Sequence, residues 1–179
     1  MSDDDRYIHQ QLVRDRLRGM IELVERLMAG RRDWRARDYH CHDIEVMELL
    51  PPEASDAERE AALLHSVLDT GAATPEDLLA CGVGGDVVDI VRLVSNGPDV
   101  RGYAAYVQKC RDIVASRNRG AMRVKLADML ANAGHPTNDY GETIAIMRDG
   151  LAAAPDRADA PEAPPLHAAA FDRAAMRRR

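Results

Sequence analysis

Residues 61–70, with the sequence AALLHSVLDT, constrain the fold more than any other stretch of the chain. The segment begins with apolar residues that call for burial, and His65 and Asp69 then follow four positions apart. On an α-helix, this separation places two side chains on one face. Polar groups at the end of a buried helix are costly unless they are paired or bind a ligand. We therefore predict a buried helix that presents His65 and Asp69 to a small polar site.

A second stretch, residues 124–132 with the sequence VKLADMLAN, repeats this design. Its apolar residues form one stripe of a predicted helix. Positions i, i+3 and i+7 on another face carry Lys125, Asp128 and Asn132. Two buried helices that direct such side chains into one space predict a polar site inside an all-helical core.

The composition supports helices rather than sheets. Hydrophobic residues make up 46% of the 179 residues, yet the chain has only one Phe and one Trp. The core must therefore be aliphatic, whereas strands concentrate aromatic and β-branched residues. Together with the helical periodicity, this predicts an all-α bundle of about seven to nine helices. We place one helical domain at residues 1–154 and interpret residues 155–179 as a linker with a C-terminal tail or helix.

Helix boundaries follow from the residues that interrupt the apolar periodicity. Gly30 and Gly71 suit the ends of two helices, and Thr74 followed by Pro75 is typical of a helix start. The predicted helices span about 6–29, 39–50, 56–70, 75–80, 86–95, 103–114, 121–133 and 138–151.

Charge, cysteine usage and hydropathy exclude several classes of protein. The net charge of −6 argues against a nucleic-acid-binding protein. Three isolated cysteines predict neither a disulfide framework nor a zinc ribbon. No apolar run approaches the roughly 20 residues that span a bilayer. Because the acidic N-terminus also lacks the apolar region of a signal peptide, we expect a cytoplasmic protein with no membrane partner. A homo-oligomer is one of the open alternatives for its assembly.

The order and spacing of the motifs resemble the HD-domain phosphohydrolases, in particular the small RelA/SpoT-type (p)ppGpp hydrolases. Residues 38–46, DYHCHDIEV, resemble the family pattern PY-x-x-H-P-x-x-V. Residues 62–70 and 74–78, ALLHSVLDT and TPEDL, resemble ALLHDVVEDT and TLEDL. Residues 124–132 match the pattern VKLADxxxN.

Two further segments extend this resemblance to about residues 24–133. Tyr103 and Tyr106 are similar to the family's SYEDY segment, and residues 29–39, AGRRDWRARDY, are similar to its basic AGQRRxxGxPY loop. On composition alone, this arginine-rich connector reads either as a solvated loop or as a contact for phosphate.

The resemblance implies an HD-domain-like bundle that hydrolyses a nucleotide such as (p)ppGpp with Mn²⁺ or a similar divalent ion. It places His42, His65 and Asp128 on the positions of metal ligands. Asp69 then stands where the family has a catalytic Glu, and it would help to activate water. The residues implied for binding substrate phosphates or the remainder of the nucleotide are Arg32, Lys125, Asn132 and Tyr106.

Departures from the family pattern leave a second interpretation open. Ser66 stands where the family has a carboxylate ligand, so metal binding would be weakened or lost, and Ser66→Asp would rebuild a four-ligand site. The alternative function is a catalytically degraded HD-fold protein that binds a nucleotide or a protein partner without turnover. His65 alone also suits a hydrogen-bonded core histidine, and Lys125 and Asn132 could simply pair with neighbouring groups. Tyr106 equally suits the wall of a pocket.

Overall fold

The computed structural model describes residues 3–97, 100–136 and 139–154, with side chains from Tyr7 onward. These residues form eight α-helices and no β-strand, which confirms the predicted all-α bundle; Arg32 and Asp38 form one isolated antiparallel bridge. The helices are α1 (Asp3–Leu27), α2 (Tyr39–Glu48), α3 (Asp56–Leu64), α4 (Pro75–Ala80), α5 (Gly85–Val94), α6 (Tyr103–Ala115), α7 (Arg119–Ala131) and α8 (Gly141–Ala153). The predicted linker and tail lie outside the described residues.

Two helices begin with reciprocal side-chain caps. The Ser55 hydroxyl accepts a hydrogen bond from the Glu58 backbone N–H, and the Glu58 carboxylate accepts one from the Ser55 N–H. Thr74 and Asp77 form the same arrangement at the start of α4, where Pro75 is the first helical residue. Such capping boxes satisfy backbone donors that have no partner within the helix. The predicted start and end of α4 are confirmed.

The predicted third helix is shorter than its sequence suggested. α3 ends at Leu64, and residues 65–71 form successive turns rather than a continued α-helix. The backbone N–H of Val67 donates to the carbonyl of Leu64, three residues back, as in a tightened turn. The expectation that His65 and Asp69 share one helical face is therefore wrong. His65 is buried, whereas Asp69 is exposed.

α3 and α7 form the centre of the bundle. α3 contacts α1, α2, α5 and α7, while α7 also contacts α2, α5, α6 and α8. The buried residues make one continuous cluster that is mainly aliphatic, and Leu63 and Leu64 are fully inaccessible in it. Burial of such side chains provides about 1.5–3 kcal/mol each. A salt bridge between Arg16 and the buried Glu60 joins α1 to α3.

Glycine allows two close helix contacts. A Cβ at Gly120 would lie 2.9 Å from Ile90 Cδ1 and 3.0 Å from Glu58 Cγ, so α7 can approach α5 and α3 closely. A Cβ at Gly150 would lie 2.7 Å from Val114 Cγ2, at the contact of α8 with α6. No described helix combines the length and apolar character needed to cross a membrane.

Candidate metal centre

Three separate elements bring His42, His65 and Asp128 together. His42 lies on α2, His65 directly follows α3, and Asp128 lies on α7. One donor atom from each residue lies within 4.8 Å of the others. Asp128 Oδ1 is 3.4 Å from His42 Nε2 and 3.5 Å from His65 Nε2. Two atoms bound to one metal at about 2.0–2.2 Å are roughly 3.0–3.5 Å apart, so this spacing suits a shared ion.

The burial and chemistry of these donors also fit a divalent ion. Both imidazoles are buried, and His42 Nδ1 has no hydrogen-bond partner among the described residues. The candidate ligand atom of His42 is the other nitrogen, Nε2, which faces Asp128. Two imidazoles and one carboxylate are typical ligands of Mn²⁺, Fe²⁺ or Zn²⁺. The cluster could hold a metal, and the donor set alone does not select the ion.

Lys125 and Asn132 hold Asp128 as an ionised carboxylate. Lys125 Nζ donates to Asp128 Oδ2 at 3.1 Å, and Asn132 Nδ2 donates to Asp128 Oδ1 at 2.8 Å. Burial alone would raise the pKa of Asp128, but the charge of Lys125 and the hydrogen bonds of both histidines hold this pKa well below its usual range. Burial would likewise lower the pKa of Lys125, and the charge of Asp128 reverses that effect. Asp128 is thus charged and fixed in direction before any ion binds.

His65 turns its two ring nitrogens toward different groups. Nε2 faces Asp128, while Nδ1 lies 2.8 Å from the carbonyl oxygen of Ala62 and 3.3 Å from Asp43 Oδ1. Burial would lower the pKa of His65, but the hydrogen bond and charge of Asp128, together with the charge of Asp43, raise it to about 9. In the metal-free protein, this pKa favours the imidazolium form of His65 at neutral pH, with a second proton on Nε2. A bound metal would displace that proton.

The predicted catalytic carboxylate, Asp69, lines the same cavity as His42, His65 and Asp128. Both of its oxygens already accept hydrogen bonds from a neighbouring turn. Oδ1 accepts from the Asn96 backbone N–H at 2.8 Å, and Oδ2 accepts from Asn96 Nδ2 at 3.0 Å. Asn96 Oδ1 in turn lies 3.4 Å from Lys125 Nζ. Asp69 is thus connected through Asn96 to the lysine that holds Asp128.

The structure brings three of the four predicted substrate contacts to the cavity. Lys125, Asn132 and Tyr106 line it, but Lys125 and Asn132 both donate hydrogen bonds to Asp128. Lys125 Nζ lies 5.0 Å from the centre of the Tyr106 ring. Arg32 does not line the cavity; its exposed guanidinium pairs with Asp38 at 2.8 Å. The reason is local, because the loop that carries Arg32 closes on itself through the Arg32–Asp38 bridge.

The basic loop makes internal ion pairs rather than an open cationic surface. Arg37 contacts Asp33 and Glu45, and Arg35 contacts Glu45, all at 2.8–2.9 Å. The guanidinium of Arg35 also lies 4.5 Å from the Trp34 ring centre. These contacts favour the interpretation of a structured loop over that of a free phosphate contact.

The cavity has a volume of about 270 Å³ and an acidic lining. The carboxylates that line it are those of Asp33, Asp69 and Asp128. The ammonium group that lines it is that of Lys125. As it stands, this lining suits a cation better than a polyphosphate. A divalent ion would offset the negative charge and would make phosphate binding favourable.

Sequence reasoning missed three residues of this region, Asp43, Asn96 and Trp34. Asp43 is fully buried, and the Ser66 hydroxyl donates to its Oδ1 at 2.6 Å. Its position directly after His42 was the available signal. Trp34 lines the cavity, and its indole N–H donates to Asn132 Oδ1 at 3.0 Å.

No family model matches this sequence, and a search of curated proteins finds no significant match. The resemblance to HD-domain phosphohydrolases therefore rests on the order of the motifs.

Proposed function

We propose that this protein is a metal-dependent phosphohydrolase of the HD type that acts on a nucleotide such as (p)ppGpp. His42, His65 and Asp128 would hold Mn²⁺ or a similar divalent ion. The observation that carries the proposal is the meeting of these three side chains, which come from three separate motifs, at one cavity. Their spacing and burial support a metal site rather than three unrelated core residues.

The bound ion would polarise a phosphoryl oxygen and lower the pKa of a bound water. Lys125 and Asn132 fix the direction of Asp128 through their hydrogen bonds. Asp69 is the carboxylate that we propose as proton acceptor, since it lines the cavity and is exposed. Asp69 Oδ2 accepts one hydrogen bond, from Asn96 Nδ2, and its second lone pair is the site that would accept the proton.

The engagement of Asp69 favours a second candidate function. Both of its oxygens hold the Asn96 turn, and Ser66 supplies no carboxylate at the family's fourth ligand position. A protein with these features would bind a nucleotide or a protein partner without turnover, and its metal binding would be weak or lost. The two candidates differ in hydrolysis.

The test begins with protein purified without chelator. We expect about one divalent ion per chain and release of phosphate or pyrophosphate from (p)ppGpp or another nucleotide when Mn²⁺ is added. His42→Ala should lose both the bound ion and the hydrolysis. His40→Ala is the matched control, because His40 lies on the same helix but does not line the cavity. Absence of metal binding would contradict the first candidate. Binding of a nucleotide without hydrolysis, with or without a bound metal, would favour the second.

A further inference from the structure

Asp43 is a buried carboxylate that neither the metal site nor the proposed hydrolysis uses directly. It is fully inaccessible on α2, next to His42. Its Oδ1 has two neighbours, the Ser66 hydroxyl at 2.6 Å and His65 Nδ1 at 3.3 Å. Its Oδ2 has no hydrogen-bond partner among the described residues. Burying a charged group is costly unless it is paired, so its presence behind a candidate ligand calls for an explanation.

The position of Asp43 separates it from the ligands themselves. His42, His65 and Asp128 form the cluster whose donor atoms converge, and Asp43 is not part of that cluster. Asp43 contacts the His65 nitrogen that faces away from Asp128. A metal-bound histidine usually donates its other ring N–H to a carboxylate or a carbonyl, which fixes the ring and makes the bound nitrogen a stronger donor. Asp43 and the Ala62 carbonyl occupy this place behind His65.

We propose that Asp43 positions His65 for metal binding and that Ser66 holds the Asp43 carboxylate in place. This inference rests on the metal site proposed above. Ala62 provides a neutral acceptor for the Nδ1 proton. Burial raises the pKa of Asp43, while the charge of His65 and the hydrogen bond from Ser66 favour the ionised carboxylate on the same side of the ring. The Ser66 hydroxyl fixes the carboxylate by a short hydrogen bond to the oxygen that faces His65.

The same contact explains two departures from the family pattern together. The pattern has Pro where this chain has Asp43, and a carboxylate where this chain has Ser66. In this fold, an Asp at position 66 would place its carboxyl carbon near the present Ser66 Oγ, which lies 2.6 Å from Asp43 Oδ1, so its carboxylate would crowd that of Asp43. Ser66 is therefore not an empty ligand position, and Ser66→Asp should not rebuild a four-ligand site. We expect this variant to melt below the wild type both in chelator and in Mn²⁺, because the new carboxylate opposes Asp43.

The test compares Asp43→Asn, Ser66→Ala and Ser66→Thr with the wild type. Asp43→Asn keeps the shape but removes the charge, and Ser66→Ala removes the hydroxyl that Ser66→Thr retains. Calorimetric titration of metal-free protein with Mn²⁺ should show affinity reduced about 10–100-fold in Asp43→Asn. The Mn²⁺ affinity of Ser66→Ala should also be reduced, and that of Ser66→Thr should approach the wild-type affinity. Glu60→Gln is the control, since Glu60 is an equally buried carboxylate that pairs with Arg16 away from the cavity.

A second measurement reports on His65 without any metal. NMR of metal-free protein should place the Nδ1 proton of His65 downfield in the wild type and upfield of that position in Asp43→Asn. The variant removes the charge 3.3 Å from Nδ1, whereas the Ala62 carbonyl still accepts the hydrogen bond. If folded Asp43→Asn keeps both the wild-type affinity and the wild-type proton shift, Asp43 does not position His65. If the wild type binds no metal, the proposed function fails; the shift change in Asp43→Asn would then still support the contact between Asp43 and His65, and an unchanged shift would overturn it.

Discussion

Lys125 is the residue on which the charge balance of the site depends. It is almost fully buried and contacts Asp128, Asn96 and the face of Tyr106. A buried lysine is stable only beside a partner of this kind, and that partner depends equally on the lysine. Sequence reasoning assigned Lys125 to substrate phosphate. The structure shows that its closest contact is the Asp128 carboxylate.

Lys125→Met should lower the free energy of unfolding by about 3–5 kcal/mol in chelator, because it removes the buried ammonium that pairs with the Asp128 carboxylate at 3.1 Å. Excess Mn²⁺ should reduce this loss, since the ion supplies positive charge to the same carboxylate. Urea unfolding with and without Mn²⁺ measures both values. Arg92→Met is the control, because Arg92 pairs with Glu76 at an exposed position and does not line the cavity. An equal loss in chelator and in Mn²⁺ would contradict the assignment of Asp128 as a ligand.

Asp33, in the loop that precedes α2, makes the free energy of unfolding depend on pH. Burial would raise its pKa, but hydrogen bonds from Arg37 and Arg35 and the charge of Arg37 lower it below the usual value of 3.8. The folded state therefore binds fewer protons at Asp33 than the unfolded state does. The ionised Asp33 carboxylate therefore stabilises the folded state above about pH 4, and this stabilisation is lost as the pH falls.

Asp33→Asn should therefore lower stability at pH 7 by about 1–3 kcal/mol and flatten the loss of stability below pH 4. Chemical unfolding between pH 3 and pH 7 measures this slope. Asp89→Asn should leave the slope unchanged, because the Asp89 side chain is 70% exposed. A steeper acid transition in Asp33→Asn would contradict the charge assignment.

At the level of elements, the contacts of α8 depend on the absence of a side chain at Gly150. A Cβ there would meet Val114 Cγ2 at 2.7 Å and Met122 Sδ at 3.2 Å. Gly150→Ala should destabilise the protein by about 1–3 kcal/mol, although alanine is the better helix former. Thermal unfolding tests this, and Val114→Ala in the same chain should restore part of the loss. Gly85→Ala serves as control, since a Cβ at Gly85 would meet nothing within 4 Å. A gain in stability for Gly150→Ala would show that α6 and α8 can separate freely.

The helices were largely predictable because their signals are local. Thr74 and Pro75 marked the start of α4, and apolar periodicity marked most of the other helices. The end of α3 was not predictable in this way. The turns after Leu64 are closed by contacts such as those of the Thr70 hydroxyl with the carbonyls of Ser66 and Val67, and these compete with a continued helix.

The meeting of His42, His65 and Asp128 was predictable from motif order, whereas the groups around them were not. Asp43 looks like a solvated residue when α2 is considered alone. Its burial results from the packing of α2 against α3 and α7, which are distant in sequence. Arg32 was assigned to the cavity because it precedes His42 in the chain. Its pairing with Asp38 depends on the closure of the loop, which periodicity does not report.

At the scale of the whole molecule, a metal would join α2, the turn after α3, and α7. An ion that binds only the folded chain stabilises it by about 2.7 kcal/mol at a hundredfold excess over the dissociation constant. We expect wild-type unfolding to shift by about this amount in Mn²⁺, and we expect no shift in Asp128→Asn. A shift of equal size in both proteins would mean that the ion binds elsewhere.

The most direct measurement is anomalous diffraction from crystals grown with Mn²⁺. We expect one strong anomalous peak at about 2.0–2.3 Å from His42 Nε2, His65 Nε2 and an oxygen of Asp128. Asp43 should remain hydrogen-bonded to Ser66 behind His65, without contacting the ion. A map with no peak among these side chains, although Asp128 still contacts both histidines, would contradict the metal site and the function proposed from it.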